Sequence, residues 1–205
     1  MNIFDFFKCR KKSDKTEESK SEKNTRYKDQ FDRYKSLMGN KSYDNILVAI
    51  YLKAIIVEYL NYSEAVQSLE CEHNPRNNSL LEVIYRKIEA DLCLKHNIFI
   101  FDEVPLEIDI NKLPILLNPW NGGRIVDNLV SIINESNVFD GLSYSQNVQN
   151  YYLYPMDLII CGGGNHSQFS ARFKNQGKTI IKGIYDYSLL YTEVEFDGVN
   201  YISKH

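Results

Sequence analysis

Paired cysteines are missing from this 205-residue chain. The four present, Cys9, Cys71, Cys93 and Cys161, lie far apart with no Cys-x-x-Cys spacing, which argues against a zinc ribbon and a disulfide framework. A reducing, cytoplasmic compartment is therefore expected. An excess of one charge is missing too: 24 Lys and Arg stand against 27 Asp and Glu. That excludes a surface built throughout to grip nucleic acid, while leaving a local basic patch open. Asn45 to Tyr62 is strongly apolar, but Lys53 and Glu58 interrupt it, so a buried helix is expected there and no membrane span. The start, Met1-Asn2-Ile3-Phe4-Asp5-Phe6-Phe7, is too short and too acidic for a signal-peptide core, and no export is expected. There is no Gly-x-x-x-x-Gly-Lys phosphate loop and no convincing Ser-His-Asp order. Neither His73 nor His96 has an acidic or cysteine partner at metal-ligand spacing, so no metal site is expected.

What is there divides into three stretches. Residues 1–40 are a charged leader: from Lys8 to about Lys35 almost nothing can be buried, which predicts a flexible tail or a solvated helix. Residues 41–97 are expected to form a helical hairpin. Its second arm, Ser79 to Lys95, places Leu80, Leu81, Ile84, Ile88 and Leu92 near helical spacing, with Ser79 and Glu82 as a capping pair. The apolar hairpin, spanning 45–95, is the expected surface for self-association or a protein partner. Residues 98–205 read as an α+β domain. Strands are expected at Asn97–Phe101 and Leu106–Ile110, followed by an irregular loop from Leu113 to Arg124 and a helix at Asp127–Asn134. Gly141 to Asn150 reads as a loop. A strand at Asp157–Cys161, a helix at His166–Gln176 and a strand at Thr179–Tyr185 follow. A terminal hairpin turning at Asp197-Gly198 ends the series.

The most informative stretch joins that strand to that helix through Gly162, Gly163 and Gly164, followed by Asn165, His166 and Ser167. Glycines admit unusual backbone angles and leave room for a ligand. Amides at a helix start lack internal partners and sit at the positive end of its dipole, so the turn suits a phosphate or carboxylate. His166 beside such a turn is the candidate catalytic residue, as a proton carrier, and it could equally pack inward. Arg124, Arg172 and Lys174 are candidate phosphate partners. Trp120, the sole tryptophan, is suited either to stack on a base or to anchor its loop in the core. Cys161, inside the strand, reads as core.

Residues 104–185 resemble the ParB/sulfiredoxin superfamily, the ParB-like nuclease fold. The likeness rests on the order of elements and on Gly164-Asn165-His166-Ser167 standing where members carry Gly-x-His-Arg or Gly-Glu-Arg-Arg. Ser170-Ala171 supply small residues one turn later, and Gly177 precedes the last strand. The resemblance implies a mixed sheet with short helices and a nucleotide, ATP or CTP with magnesium, whose phosphates the turn binds, possible nucleotide or phosphodiester hydrolysis included. Two departures count against chemistry. Asn165 replaces the reactive cysteine of sulfiredoxin, which removes sulfinic acid reduction, and Ser167 replaces the phosphate-clamping arginine. The alternative is a non-catalytic scaffold with a vestigial pocket. Lys-, Asn- and Tyr-rich usage looks like that of an AT-rich bacterium, and small ParB-like proteins often accompany mobile elements or phage defence. Sequence-specific DNA binding is disfavoured, because the helix-turn-helix of partition proteins has no counterpart after the motif.

Overall fold

The computed structural model describes residues 19–40, 42, 44–71, 99–131 and 137–204. The expected second arm of the hairpin at 79–95 lies outside them, as do the first eighteen residues. The fold is α+β, with a pair of helices ahead of a mixed sheet. The chain divides into two compact units, Met1–Asn45 with Glu193–His205, and Ile46–Thr192.

In the first unit, helix α1 spans Lys20–Met38 and buries no residue. The solvated-helix reading of the leader therefore describes this part of it. Ser19 Oγ accepts from the Glu22 amide (3.2 Å) and the Glu22 carboxylate accepts from the Ser19 amide (2.8 Å), a reciprocal cap that satisfies two donors without an internal partner. Phe31 sets its ring edge-on to Phe196 at 5.2 Å. The terminal hairpin appears as β6 (Val194–Phe196) and β7 (Tyr201–Ser203). At its turn the Asp197 carboxylate accepts from the amides of Val199 and Asn200, and Gly198 takes φ 100.

The second unit opens with α2, Asn45–Cys71. By length and composition its segment Asn45–Glu70 suffices to cross a membrane. Its two central charges turn toward its own fold: Lys53 Nζ donates to the Met156 carbonyl (2.7 Å) and Glu58 pairs with Arg172. The expected buried helix is corrected here. Only Val57, Asn61, Ala65 and Ser68 are buried, one stripe at spacings of four, four and three. Ile46, Ile55 and Tyr59 stay 75%, 63% and 70% exposed, because the helix meets the sheet by one face alone.

The sheet holds five strands: β1 (Phe99–Asp109), β2 (Ile115–Leu116), β3 (Gln149–Tyr154), β4 (Leu158–Gly163) and β5 (Lys178–Asp186), in the order β1-β5-β3-β4-β2. The β1·β5 and β3·β4 pairs are antiparallel, and β3·β5 and β2·β4 are parallel. The two strands expected around residues 97–110 are one strand with a register shift between Phe101 and Leu106. Pro105 falls inside that irregularity and on an edge strand, where its missing N–H interrupts least. Asn61 closes the other edge: its amide donates to the Ile115 carbonyl and accepts from the Leu117 amide, both at 2.8 Å.

Helix α3 spans Gly122–Ser131, starting five residues before the expected helix. The Gly-Gly pair reads as a loop marker, but a Cβ on Gly122 would meet the Ser68 carbonyl oxygen at 2.6 Å, so the glycine lets α3 touch the backbone of α2. Helix α4 (Asn165–Phe173) follows β4 and packs with α3. Helix α5 (Ser188–Glu193) ends the unit. Gln168 on α4 carries a buried polar network: its Oε1 accepts from Asn150 Nδ2 (2.8 Å) and Thr179 Oγ1 (2.6 Å), and its Nε2 donates to Asn150 Oδ1 and to the Gly163 carbonyl, each at 3.1 Å. A satisfied network of this kind fixes α4 against β3, β4 and β5 in one register.

Candidate functional site

The glycine turn lies where β4 becomes α4. Gly164 precedes the helix at φ 76, a backbone angle that side-chain-bearing residues rarely adopt, and caps it with no side chain. Gly163 answers to packing: a Cβ would stand 2.5 Å from the Asn147 carbonyl oxygen, and its own carbonyl is taken by Gln168 and Cys161. Gly162 is exposed, and a Cβ there would find no neighbour nearer than 3.4 Å. The three glycines thus differ in what requires them. Two of them serve a turn and a close approach, and Gly162 alone is free of both.

His166 is buried on the first turn of α4. Its Nε2 accepts from the Asn121 amide at 3.0 Å, which leaves the ring proton on Nδ1. Its ring meets that of Trp120 edge-on at 5.2 Å, and the Arg124 guanidinium lies 5.5 Å from the Trp120 centroid. Burial first and Arg124 second push the His166 pKa down to about 4. The imidazole is therefore neutral near pH 7 with its lone pair committed. Of the two roles open to His166, the buried and engaged ring fits inward packing, in which it holds the 118–121 segment against α4.

Asn165 holds the same segment from the other side, its Oδ1 accepting from the Asn118 amide at 2.8 Å. Asn121 Oδ1 accepts from the Arg124 amide (2.9 Å) and so starts α3. Asn118 Oδ1 is buried with no hydrogen-bond partner among the described residues. Ser167 is half-buried, its hydroxyl 3.5 Å from the Gly164 carbonyl. The structure thus gathers Trp120, Arg124, Asn165, His166 and Ser167 around the start of α4. Trp120 is half-buried between His166 and Arg124, so neither expected role, base platform or core anchor, describes it alone.

Arg172 does not join them. Its guanidinium pairs with Glu58 and donates to the carbonyls of Ile110 (2.6 Å) and Leu113 (3.0 Å). The expected phosphate partner is a brace between α2, α4 and the chain after β1. Lys174 is the helix's exposed C-cap, at the end away from the turn. Cys161 is core as expected, and burial pushes its thiol up to about 12.

Asn118, Asn121 and Gln168 are absent from the sequence reading. Asn121 carried a readable signal, a helix-capping residue directly ahead of Gly-Gly-Arg-Ile-Val. Among the described residues no group of three or more His, Cys, Asp or Glu could hold a metal ion. No curated protein and no solved structure matches the chain. Residues 10–205 match a family of unknown function, DUF6710, and the chain belongs to that family.

Proposed function

We propose that the protein binds a nucleotide, or a similar anion with an aromatic body, at the Gly162–His166 turn, and holds it without turnover. The observation that carries this reading is the start of α4, which has no side-chain cap, next to the Trp120–Arg124 pair. The amides of the first turn favour a phosphate. Arg124 adds charge and Trp120 adds a ring face. Turnover is set aside because His166 is buried, neutral near pH 7 and engaged with the Asn121 amide. The ParB-like resemblance belongs to the same proposal: β4 delivers the turn to a helix start, and the 118–124 segment lies beside it.

Trp120 is the only tryptophan, so its emission reports on this site alone. Titration with ATP, CTP, GTP and UTP, with and without magnesium, should give saturable quenching by at least one of them. Arg124→Gln should weaken it, and no phosphate should be released. Absence of saturable quenching by all four at millimolar concentration, with no rise in melting temperature, refutes the reading. A second reading, a scaffold that works through α2, rests on the exposure of Ile46, Ile55 and Tyr59. A silent titration from a chain that light scattering shows to be dimeric would favour it.

A further inference from the structure

A cavity that shares no lining residue with the glycine turn lies against β1 and β5. Its volume is about 390 Å³, and it is walled by Leu106 and Ile108 of β1, Leu113, and Ile181, Gly183 and Ile184 of β5. Its polar rim consists of Lys112, Tyr152 and Asp157. Cavities in this size range accommodate small organic ligands with mostly apolar bodies.

The rim determines which ligand fits. Tyr152 donates its hydroxyl proton to Asp157 Oδ1 in a short hydrogen bond. Lys53, anchored on the Met156 carbonyl, stands close enough to Asp157 for the two charges to act on each other. One Asp157 oxygen is thus hydrogen-bonded, and the carboxylate feels the attraction of Lys53. Asp157 also holds φ 49, left-handed for a residue with a side chain, so the tight β3–β4 turn keeps the carboxylate in place. Lys112 differs. Among the described residues its ammonium has no carboxylate and no carbonyl partner, while its side chain lines the cavity. The wall that bears it is fixed, because Arg172 binds the carbonyls of Ile110 and Leu113 on either side.

We propose that this cavity binds a compact apolar monocarboxylate, its hydrocarbon body against the aliphatic walls and its carboxylate on Lys112. The argument is one of complementarity. Among the described residues the walls are aliphatic, Asp157 already has the Tyr152 hydroxyl and the attraction of Lys53, and Lys112 is the rim charge without a partner. An uncharged molecule of the same shape would leave that charge unused, and an amine would meet it with repulsion.

The test uses the full chain with octanoate, octan-1-ol and octylamine, followed by calorimetry and saturation-transfer NMR. Octanoate should bind about threefold more tightly than octanol, the size of effect expected for an exposed ion pair, and octylamine most weakly. Lys112→Met should bring octanoate to the level of octanol or below and leave octanol unchanged. Leu106→Trp, at an exposed position on the wall, should block all three probes. If that variant fails to fold, the Lys112→Met comparison still decides. Trp120 emission should not respond to octanoate, which separates this site from the nucleotide reading. No saturable octanoate binding at millimolar concentration, equal binding of the three probes, or octanoate affinity unchanged in Lys112→Met overturns the proposal.

Discussion

Substituting alanine at Gly162 and Gly163 in turn should separate two adjacent glycines by several kcal/mol. At Gly163 the added methyl would sit 2.5 Å from the Asn147 carbonyl oxygen and 3.1 Å from Gln149 Cγ. The first neighbour is backbone, so the Asn147–Gln149 segment must retreat by most of an ångström or β4 must shift under α4. Overpacking of this kind costs about 1–3 kcal/mol. The upper end is expected here, because the Gly163 carbonyl also accepts from Gln168 and displacement would disturb that network. At Gly162 the nearest atom is 3.4 Å away, ordinary contact, and the methyl removes conformational freedom from the unfolded chain. A gain of about 0.5 kcal/mol follows. For a folded unit of this size, the melting temperature should fall by roughly 5–10 °C for Gly163→Ala and rise by about 1–2 °C for Gly162→Ala. Circular dichroism melts with urea titrations would measure both. Equal effects at the two positions, or an unperturbed Gly163→Ala, would refute the packing account of the turn and return both glycines to the ligand.

The imidazole of His166 should titrate near pH 4 by NMR, and a value near the ordinary 6.5 would show that it is not buried as described. Between those values the unfolded chain binds the proton and the folded one does not, so this contribution to stability is complete above about pH 6.5 and is lost as pH falls toward 4. Urea midpoints for the native chain and His166→Gln should therefore converge as the medium is acidified through that window. Cys161 should resist iodoacetamide in the folded protein at pH 8 and react only in denaturant, with peptide mapping to distinguish it from Cys9, Cys71 and Cys93. Rapid native labelling of that peptide would contradict its burial.

The elements with a clear period and clean punctuation could be read from the sequence. The strand at 158–163, the helix at 165–173, the strand at 178–186 and the Asp197-Gly198 hairpin all lie within a few residues of expectation. The strand β3 escaped notice because its buried positions include Asn150, whose amide is satisfied by Gln168 and Thr179 from two other elements. No local pattern announces such a partnership. The depth of α2 was misjudged for the opposite reason: hydrophobicity around the whole helix reads as burial, and which face meets the sheet is decided by Asn61, Lys53 and Glu58 finding distant partners. At the candidate site, residue types were enough to gather Trp120, Arg124 and the turn. The role of His166 was not legible, because it depends on one backbone amide 45 residues away in sequence. Arg172 shows the same limit, its position on the helix being clear and its direction not.

The carboxamide of Asn61 bears on how the molecule behaves in a crowded solution. An open sheet normally ends in two rows of unpaired donors and acceptors, each able to recruit a strand from another molecule. At β2 a side chain from a helix occupies the groups that such a strand would use, forming with the Ile115 carbonyl and the Leu117 amide the pair of bonds a neighbouring backbone would make. At β1, the other edge of the described sheet, Pro105 withholds a donor and the register shift breaks the repeat. Neither border presents an unbroken template, so the sheet is protected against growth by strand addition, and one asparagine provides that protection at the β2 side.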